Sequence, residues 1–596
     1  MGNILKSPSA RSNIGYSGFD MSHLEKFSST TGELLPVHYD ILNPGDKVTC
    51  NSELKTRTME IESAAMVRLN EHIDWFFVPL TQILTTFGDW YYGIQDFKTS
   101  FLDPSSTYAK NFPYFAATTI NSNLHNVTQD AFGIRGSFIR LMDMLGIPAS
   151  SFSASNSSFS SFPNAISPLF GCAYQKIWMD FYRVSNYNAN SPKYYNLDQF
   201  FSTGLVTEWG IWTLRYRSAD KDFFTNVFPS PLIGEGGVDT YATNTLYENF
   251  NQWLVSGLGY FGAQPVVTSG AQGAGTATSD PVTPTDILPN IGYPNINVNN
   301  VSVTGVKNIP FRKDVQGFMS PSAIRTSFAM QKLLEVTRRA GKHMDAQTLA
   351  HFGVNVPNGI AGEVFYLGSQ HGVVNIGDVI ATSTGSATIN GSTIATPLGQ
   401  VGGKGYGYTK GDSPIKFTAP CHGVLMALYS SNVDRDYSND MLDRLNTYVN
   451  RSDWFTPEYD NLGMQPLFHY QKHLVGTAAT NSSVLAWQYR WTELKLKFNR
   501  VSGALQAGRT LSYWSATQEA SQFSLGDSLY VSPFELDSIM LVPYGSIGNM
   551  VVSVSSGTGY NNNTFANMYS TDPLIHECYI DCKKASKMST YGLESL

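Results

Sequence analysis

Charge is what this chain has least of. Asp, Glu, Lys and Arg make up 15% of its 596 residues, against about 25% in an ordinary soluble domain. A surface so poor in ions is either neutral and polar or covered by partners. Aromatic residues reach 13%, and interface cores lose Lys and Glu while gaining Tyr, Trp and Phe. The composition therefore suits a subunit of a large assembly, and equally a secreted β-rich protein with a Ser, Thr and Asn surface. The net charge of −7 excludes a general nucleic-acid binder. It does not exclude a local basic face, because affinity follows the phosphate contacts made at one surface.

Cysteine is scarce as well. The five (Cys50, Cys172, Cys421, Cys578 and Cys582) are an odd number and mostly far apart, which speaks against a disulfide framework and for a reducing site of synthesis. Long apolar runs are missing. Met1 to Gly15 lacks the continuous apolar stretch of an export signal, and Lys6 breaks a myristoylation pattern at Gly2. The most apolar segment, Trp75 to Ile94, is interrupted by Pro79, Gln82 and Asp89, so no membrane span is expected.

Catalytic and metal-binding patterns are absent too. Gly402-Gly403-Lys404-Gly405-Tyr406-Gly407 has Leu at 398 and Gly at 405, so it fails the phosphate-loop spacing and reads as a flexible loop. His469 and His473 flank Tyr470 rather than the Glu of a zinc protease. Cys578 and Cys582, with His576 close by, have no second ligand pair. In a strand Cys578, Ile580 and Cys582 share one face and read as buried thiols. No catalytic residue, metal ligand or cofactor is expected.

What is present is mostly strand. Met59 to Leu69, Ile73 to Val78, Val424 to Tyr429, Val484 to Phe498 and Phe534 to Val542 carry strand composition. Glu493 to Phe498 alternates strictly, which places Leu494, Leu496 and Phe498 on one face. Two helices are predicted. Gly136 to Leu145 is short. Ser320 to Ala340 has Ser320 as N-cap, Pro321 at the first turn and Gly341 as the stop, with Ile324, Phe328, Met330, Leu333 and Leu334 forming a buried side. Scattered strands with long irregular connections suggest an antiparallel sandwich with large insertions. Residues 1–30 read as an arm that orders only against a neighbour, and 385–411 as a long Gly-rich loop.

Between Lys221 and Lys307 there is no Lys or Arg, while Asp222, Glu235, Asp239, Glu248, Asp280 and Asp286 are acidic. Rich in Gly, Pro, Asn, Thr and Ser, the stretch 230–306 belongs on a surface. It still carries Tyr247, Phe250 and Trp253 at three-residue steps, and Tyr260 and Phe261 beyond them. These aromatics either meet the same segment of neighbouring subunits or anchor the segment on its own subunit. Basic residues cluster twice. Arg325, Lys332 and Arg339 recur every seventh residue and form a stripe on the second helix, which Lys342 extends if the helix passes Gly341. Lys583, Lys584 and Lys587 form the other cluster. Each reads as a nucleic-acid contact or as a solvated face, with Glu335 placed to pair with Arg339.

Five ordered blocks carry a family resemblance. They are Phe19-Asp20-Met21-Ser22-His23 with Gly32 to Pro36 and Pro44-Gly45-Asp46-Lys47; His72 to Pro79; Ala173 to Trp178; Ser322-Ala323-Ile324-Arg325 through Leu349 to Val354; and Tyr579-Ile580-Asp581-Cys582. Asp220 to Thr225 and Trp454 through Pro466 match as well. In this order they resemble the major capsid proteins of microviruses, small icosahedral single-stranded DNA phages, and the gokushovirus-like branch in particular. The resemblance implies an eight-stranded antiparallel jelly roll with long loop insertions and a few short helices. The core would be 31–229 and 307–596. Residues 230–306 would be a surface insertion that protrudes at three-fold axes and attaches to the host.

The same resemblance implies that about sixty copies close a T=1 shell around a circular single-stranded DNA genome. The implied partners are other copies of the chain, the packaged DNA, small DNA-binding, pilot and scaffolding proteins, and a host receptor. The location is the virion, assembled in the host cytoplasm. On that reading Arg325, Lys332, Arg339, Lys342, Lys583, Lys584 and Lys587 face the DNA. A secreted or cell-surface glycan-binding β-sandwich is the alternative, and a glycosidase with paired carboxylates the third reading.

Overall fold

A computed structural model describes residues 15–92, 112–116, 137–147, 165–187, 191–201, 203–231, 321–341, 343–357, 362–380, 385–389, 392–396, 401–438, 441–460, 463–474, 480, 482–518, 529–536, 538–540 and 572–590. The chain divides into two compact units, one of residues 1–231 with 356–596, the other of residues 232–355.

Ten strands of the first unit form one antiparallel sheet. They are β1 (Ser17–Asp20), β2 (His23–Ser29), β3 (Leu35–Leu42), β4 (Lys47–Thr58), β5 (Leu69–Pro79), β6 (Phe365–Ile380), β7 (Val401–Lys410), β8 (Ile415–Thr418), β9 (Gly423–Val433) and β10 (Leu574–Ser586). The strand order is β1-β10-β4-β7-β6-β5-β9-β3, with β8 paired to β4 and β2 to β10. The sheet is curled and jelly-roll-like but not a closed barrel: among the described residues β1 and β3, the two ends of the path, do not pair.

The curl follows from side-chain alternation. β4 and β10 bury every second residue and expose or half-expose the rest, the period of a strand with one face on a core. Val48, Cys50 and Leu54 of β4 join Cys578, Ile580 and Cys582 of β10. Together they meet Ile73, Trp75 and Phe77 of β5 and Leu425, Ala427 and Tyr429 of β9 in one core. Strands far apart in the order thus share an interior. Full burial of a side chain such as Phe77 contributes about 1.5–3 kcal/mol. The thiol face expected at Cys578 to Cys582 is observed.

β5 and β9 are covered on both sides, which explains their unbroken apolar runs. Their second face, with Phe76, Val78, Val424, Met426 and Leu428, packs on α2 (Ser137–Met144) and α3 (Leu169–Ile177). The latter continues as one π-helical turn over Trp178–Tyr182. A short α1 (Phe87–Tyr92) adds Phe87 to the same core. Between β3 and β4 the chain crosses from one side of the curl to the other through a turn at Asn43–Asp46. There Gly45 takes φ +90°, and the Asn43 N–H donates to Asp46 at 2.9 Å.

In the second unit the described part is a helical pair, α4 (Pro321–Ala340) and α5 (Met344–Phe352). Gln347 ties them by donating to the carbonyl oxygens of Thr337 and Gly341 at 2.7 and 2.5 Å.

Several expectations change. Residues 17–29 pair with β10 of the same chain, so they do not wait for a neighbour. Met59 to Arg68 is irregular, with Ile61 bridged to Gly403 and to Met540, and β5 begins at Leu69. The expected loop 385–411 holds a hairpin, 385–389 with 392–396, followed by β7. The strand from Val484 ends at Tyr489, and residues 492–495 make a helical turn. Glu493 is buried there, accepting from Tyr448 at 2.6 Å and Gln465 at 2.6 Å and pairing with Arg444 at 3.2 Å. Leu494 and Leu496 are exposed instead. Ionic and hydrogen-bonded anchoring of one carboxylate overrides the local alternation. Residues 534–536 and 538–540 form turns and a bridge; residues 537 and 541–542 lie outside the described residues. The two expected helices are present, and α1, α3 and α5 are additional. On α4 Leu333 is exposed, contrary to the buried side expected for it.

Candidate functional site

β7 is built on an alternation of glycine with large side chains. Gly403, Gly405 and Gly407 point into the curl. A Cβ on them would lie 2.0 Å from the Ser63 carbonyl oxygen, 2.5 Å from Thr58 Cγ2 and 2.9 Å from Val374 Cγ2. Only residues without a side chain fit, and the strand therefore sits close against its neighbours. Lys404, Tyr406, Tyr408 and Lys410 point outward from the same strand, and the two tyrosines are 52% and 50% exposed.

The pairing register extends this face across four strands. Tyr406 stands opposite Arg57, which stands opposite Ile575, which stands opposite Ser28. The next row is Tyr408, Lys55, Glu577 and Lys26, and the third is Lys410, Glu53, Tyr579 and Leu24. Neighbouring rows lie two residues, about 7 Å, apart. An open groove of about 820 Å³ crosses the face between Lys26, Lys55, Arg57, Tyr406 and Ile575. Glu577 lies 3.3 Å from Lys55 and 4.0 Å from Lys26, and Glu53 pairs with Lys410. These pairs are solvent-exposed and screened, so they add little to stability. Lys26, Lys55, Arg57, Lys404 and Lys410 share this face with three carboxylates, Glu53, Glu577 and, one row on, Asp581 beside Lys410. Among the described residues no carboxylate pairs Arg57 or Lys404. A net positive sheet face with exposed tyrosine rings has the chemistry that single-stranded nucleic acid binds: cations for phosphates and flat rings for bases.

The sequence-predicted sites are distributed differently. Lys332 and Arg339 are exposed on α4. Arg325 falls within that helix, its side chain outside the described residues, as is Lys342. The aromatics Tyr247, Phe250, Trp253, Tyr260 and Phe261 also lie outside the described residues. The C-terminal cluster is divided by the period of β10. Lys583 is exposed, and Lys587 lies 5.6 Å from the ring centroid of Tyr16. Lys584 points inward, donates to Asp40 at 2.8 Å and the Ile41 carbonyl at 2.7 Å, and is 3.8 Å from Asp46. Its charge holds β10 to β3 and is not offered to a ligand, which corrects its place among the DNA-facing residues. Sequence reasoning missed the Tyr406 face. Its signal was the period-two run Gly403-Lys404-Gly405-Tyr406-Gly407-Tyr408, in which glycine marks the inner side.

A second polar group lies inside the curl. Ser29 Oγ is 2.7 Å from His576 Nε2, and Thr56 Oγ1 is 2.9 Å from His576 Nδ1. Thr56 and Tyr429 donate to Glu71 Oε1 at 2.6 and 2.8 Å. Burial pushes Glu71 up to about 7 against the opposing pull of these two hydroxyls, and pushes His576 down to about 3. Ser, His and carboxylate are the parts of a hydrolase. Here each is buried, with 0%, 2% and 1% exposure for Ser29, His576 and Glu71, and no substrate carbonyl reaches them. The network pairs these polar groups within the core, except Glu71 Oε2, which has no hydrogen-bond partner among the described residues.

Residues 162–552, about two thirds of the chain, match the family described as Capsid protein (F protein). The chain is similar to Capsid protein VP1 of Chlamydia phage 1, with 23% identity over 586 residues, covering 89% of this chain and 91% of that protein. It is also similar to Capsid protein VP1 of Bdellovibrio phage phiMH2K, with 23% identity over 530 residues and 84% of each chain covered.

Proposed function

The chain belongs to the capsid protein (F protein) family, and from that premise we propose that it is the shell-forming subunit of a gokushovirus-like microvirus. Its role is structural, in a virion. About sixty copies close a T=1 shell around a circular single-stranded DNA genome, with assembly in the host cytoplasm. The observation that carries this reading is the near full-length similarity to two phage VP1 proteins. Small DNA-binding, pilot and scaffolding proteins of the virus complete the particle. Residues 31–229 and 307–596 form the subunit body, and residues 230–306 project outward at three-fold axes toward a host receptor.

The basic tyrosine face of β7, β4, β10 and β2 is the surface turned to the genome. Lys332 and Arg339, with Arg325 and Lys342, add contacts, as do Lys583 and Lys587. Electron microscopy of particles from infected cells tests the assembly: uniform closed shells are expected, and a purified chain that stays monomeric beside its viral partners overturns the reading. Lys55→Glu with Arg57→Glu tests the face separately. Shells should form with less nuclease-resistant DNA, and the salt slope for binding an oligothymidylate should fall by about 0.7 for each phosphate no longer neutralised. Normal DNA content in the double variant sinks the assignment of this face while leaving the shell role standing.

A further inference from the structure

Cys50 of β4 and Cys582 of β10 stand directly opposite each other in the sheet, although 532 positions separate them in sequence. Both point into the core and are 1% exposed, and their Sγ atoms are 2.7 Å apart. Directly opposed residues of antiparallel strands have Cα atoms about 4.5–5.5 Å apart, inside the roughly 4.4–6.8 Å that a disulfide spans. The other thiols do not meet this condition. Cys578 shares the face but stands opposite Leu54, four residues or about 13 Å along the strand. Cys172 belongs to the core under α3, and Cys421 precedes β9 and lies at the edge of the inner core.

We propose that Cys50 and Cys582 are an oxidation site, converted to an intrachain disulfide by a low-molecular-weight disulfide of the glutathione class once the protein leaves a reducing compartment. The Cys582 thiolate attacks one sulfur of the oxidant, breaks its S–S bond and releases one thiol, which takes up a proton. Cys50 then loses its proton and attacks Cys582 Sγ. The Cys50–Cys582 bond forms, and the second oxidant thiol leaves with that proton. One disulfide is reduced as one is made. The order of attack follows from the surroundings of the pair: contact with Cys50 and the neighbouring His38 favour the Cys582 thiolate, while Cys50 is pushed up. Both thiols are buried and the end of β10 is held between β1 and β4, so the oxidant reaches them when this end, which stops at Ser586, opens locally.

The bond would join the last strand to β4. Because β10 also carries β1 and β2 on its other edge, one covalent link fixes both terminal segments to the sheet. Intact mass spectrometry of the full-length chain tests this. After equilibration with oxidised glutathione, denaturation and alkylation, three of the five cysteines should take up label, and a non-reducing digest should contain the Cys50 peptide linked to the Cys582 peptide. The oxidised protein should melt at a higher temperature than the reduced one, and dithiothreitol should reverse the difference. Cys50→Ala under the same treatment should lack the linked peptide and carry one glutathione on Cys582, which dithiothreitol removes. Five labelled cysteines in the parent, a link between other cysteines, or disulfide-joined dimers would overturn the proposal.

Discussion

Glu71 offers a measurement whose sign comes directly from the structure. The carboxyl is buried beside Gly407, Oε1 accepts from Thr56 and Tyr429, and Oε2 has no hydrogen-bond partner among the described residues. Burial raises it from 4.5 to about 7. Across that interval the folded protein keeps a proton that the unfolded chain has released. The linked stability is complete below pH 4.5 and is lost as pH rises through 7, in total about 3 kcal/mol. His576 works in the opposite sense. Burial lowers it from 6.5 to about 3, so its stability is complete above pH 6.5 and is lost as pH falls toward 3. Between pH 4.5 and 6.5 the two slopes oppose each other and the parent protein should be nearly flat. It should lose stability above that window through Glu71 and below it through His576. Glu71→Gln keeps the shape and the acceptor for Thr56 and Tyr429 and removes the titration. Urea unfolding followed by tryptophan fluorescence should then show the variant gaining on the parent by about 3 kcal/mol between roughly pH 4.5 and pH 8. Any constant offset from the new amide is immaterial, because only the slope is diagnostic. Parallel pH profiles for parent and variant would refute the placement of this carboxyl in the core.

Three further outcomes test other parts of the fold. Gly405→Val puts a branched side chain where a Cβ already lies 2.5 Å from Thr58 and 3.0 Å from Val374; it should destabilise by about 1–3 kcal/mol or more, while Tyr406→Ala beside it should change urea stability by about 0.5 kcal/mol or less. Arg140→Met leaves Glu33 and Asp572, now 2.9 and 3.1 Å from the guanidinium, buried without a cation. A loss of about 3–5 kcal/mol is expected, and a smaller loss would mean that the two acids reach solvent. Replacing residues 264–284 by a short Gly/Ser linker should give normal shells that adsorb poorly to cells. Failure to assemble would refute a peripheral role for the insertion, and undiminished adsorption would refute a role in attachment.

The sequence by itself determined those features whose cause is local. The apolar runs Ile73–Val78 and Val424–Tyr429 require strands buried on both sides, and β5 and β9 are buried in that way. Pro321 and Gly341 delimit α4 because one lacks an N–H and the other accepts φ +86°. The ordered family blocks identified the capsid lineage. What only the tertiary structure decided depends on partners hundreds of residues away. Glu493 to Phe498 alternates like a strand, yet Arg444, Tyr448 and Gln465 capture the glutamate and turn the backbone. Gly403 to Tyr408 reads as a flexible loop until Ser63, Thr58 and Val374 leave no room for any side chain there. Lys584 looks like one of three surface lysines until Asp40 and Asp46 draw it inward. Cys50 and Cys582 look unrelated until β4 and β10 place them side by side. Periodicity is a property of neighbouring residues and survives in one dimension; which face is covered, and by what, is set by strands that meet only when the sheet curls.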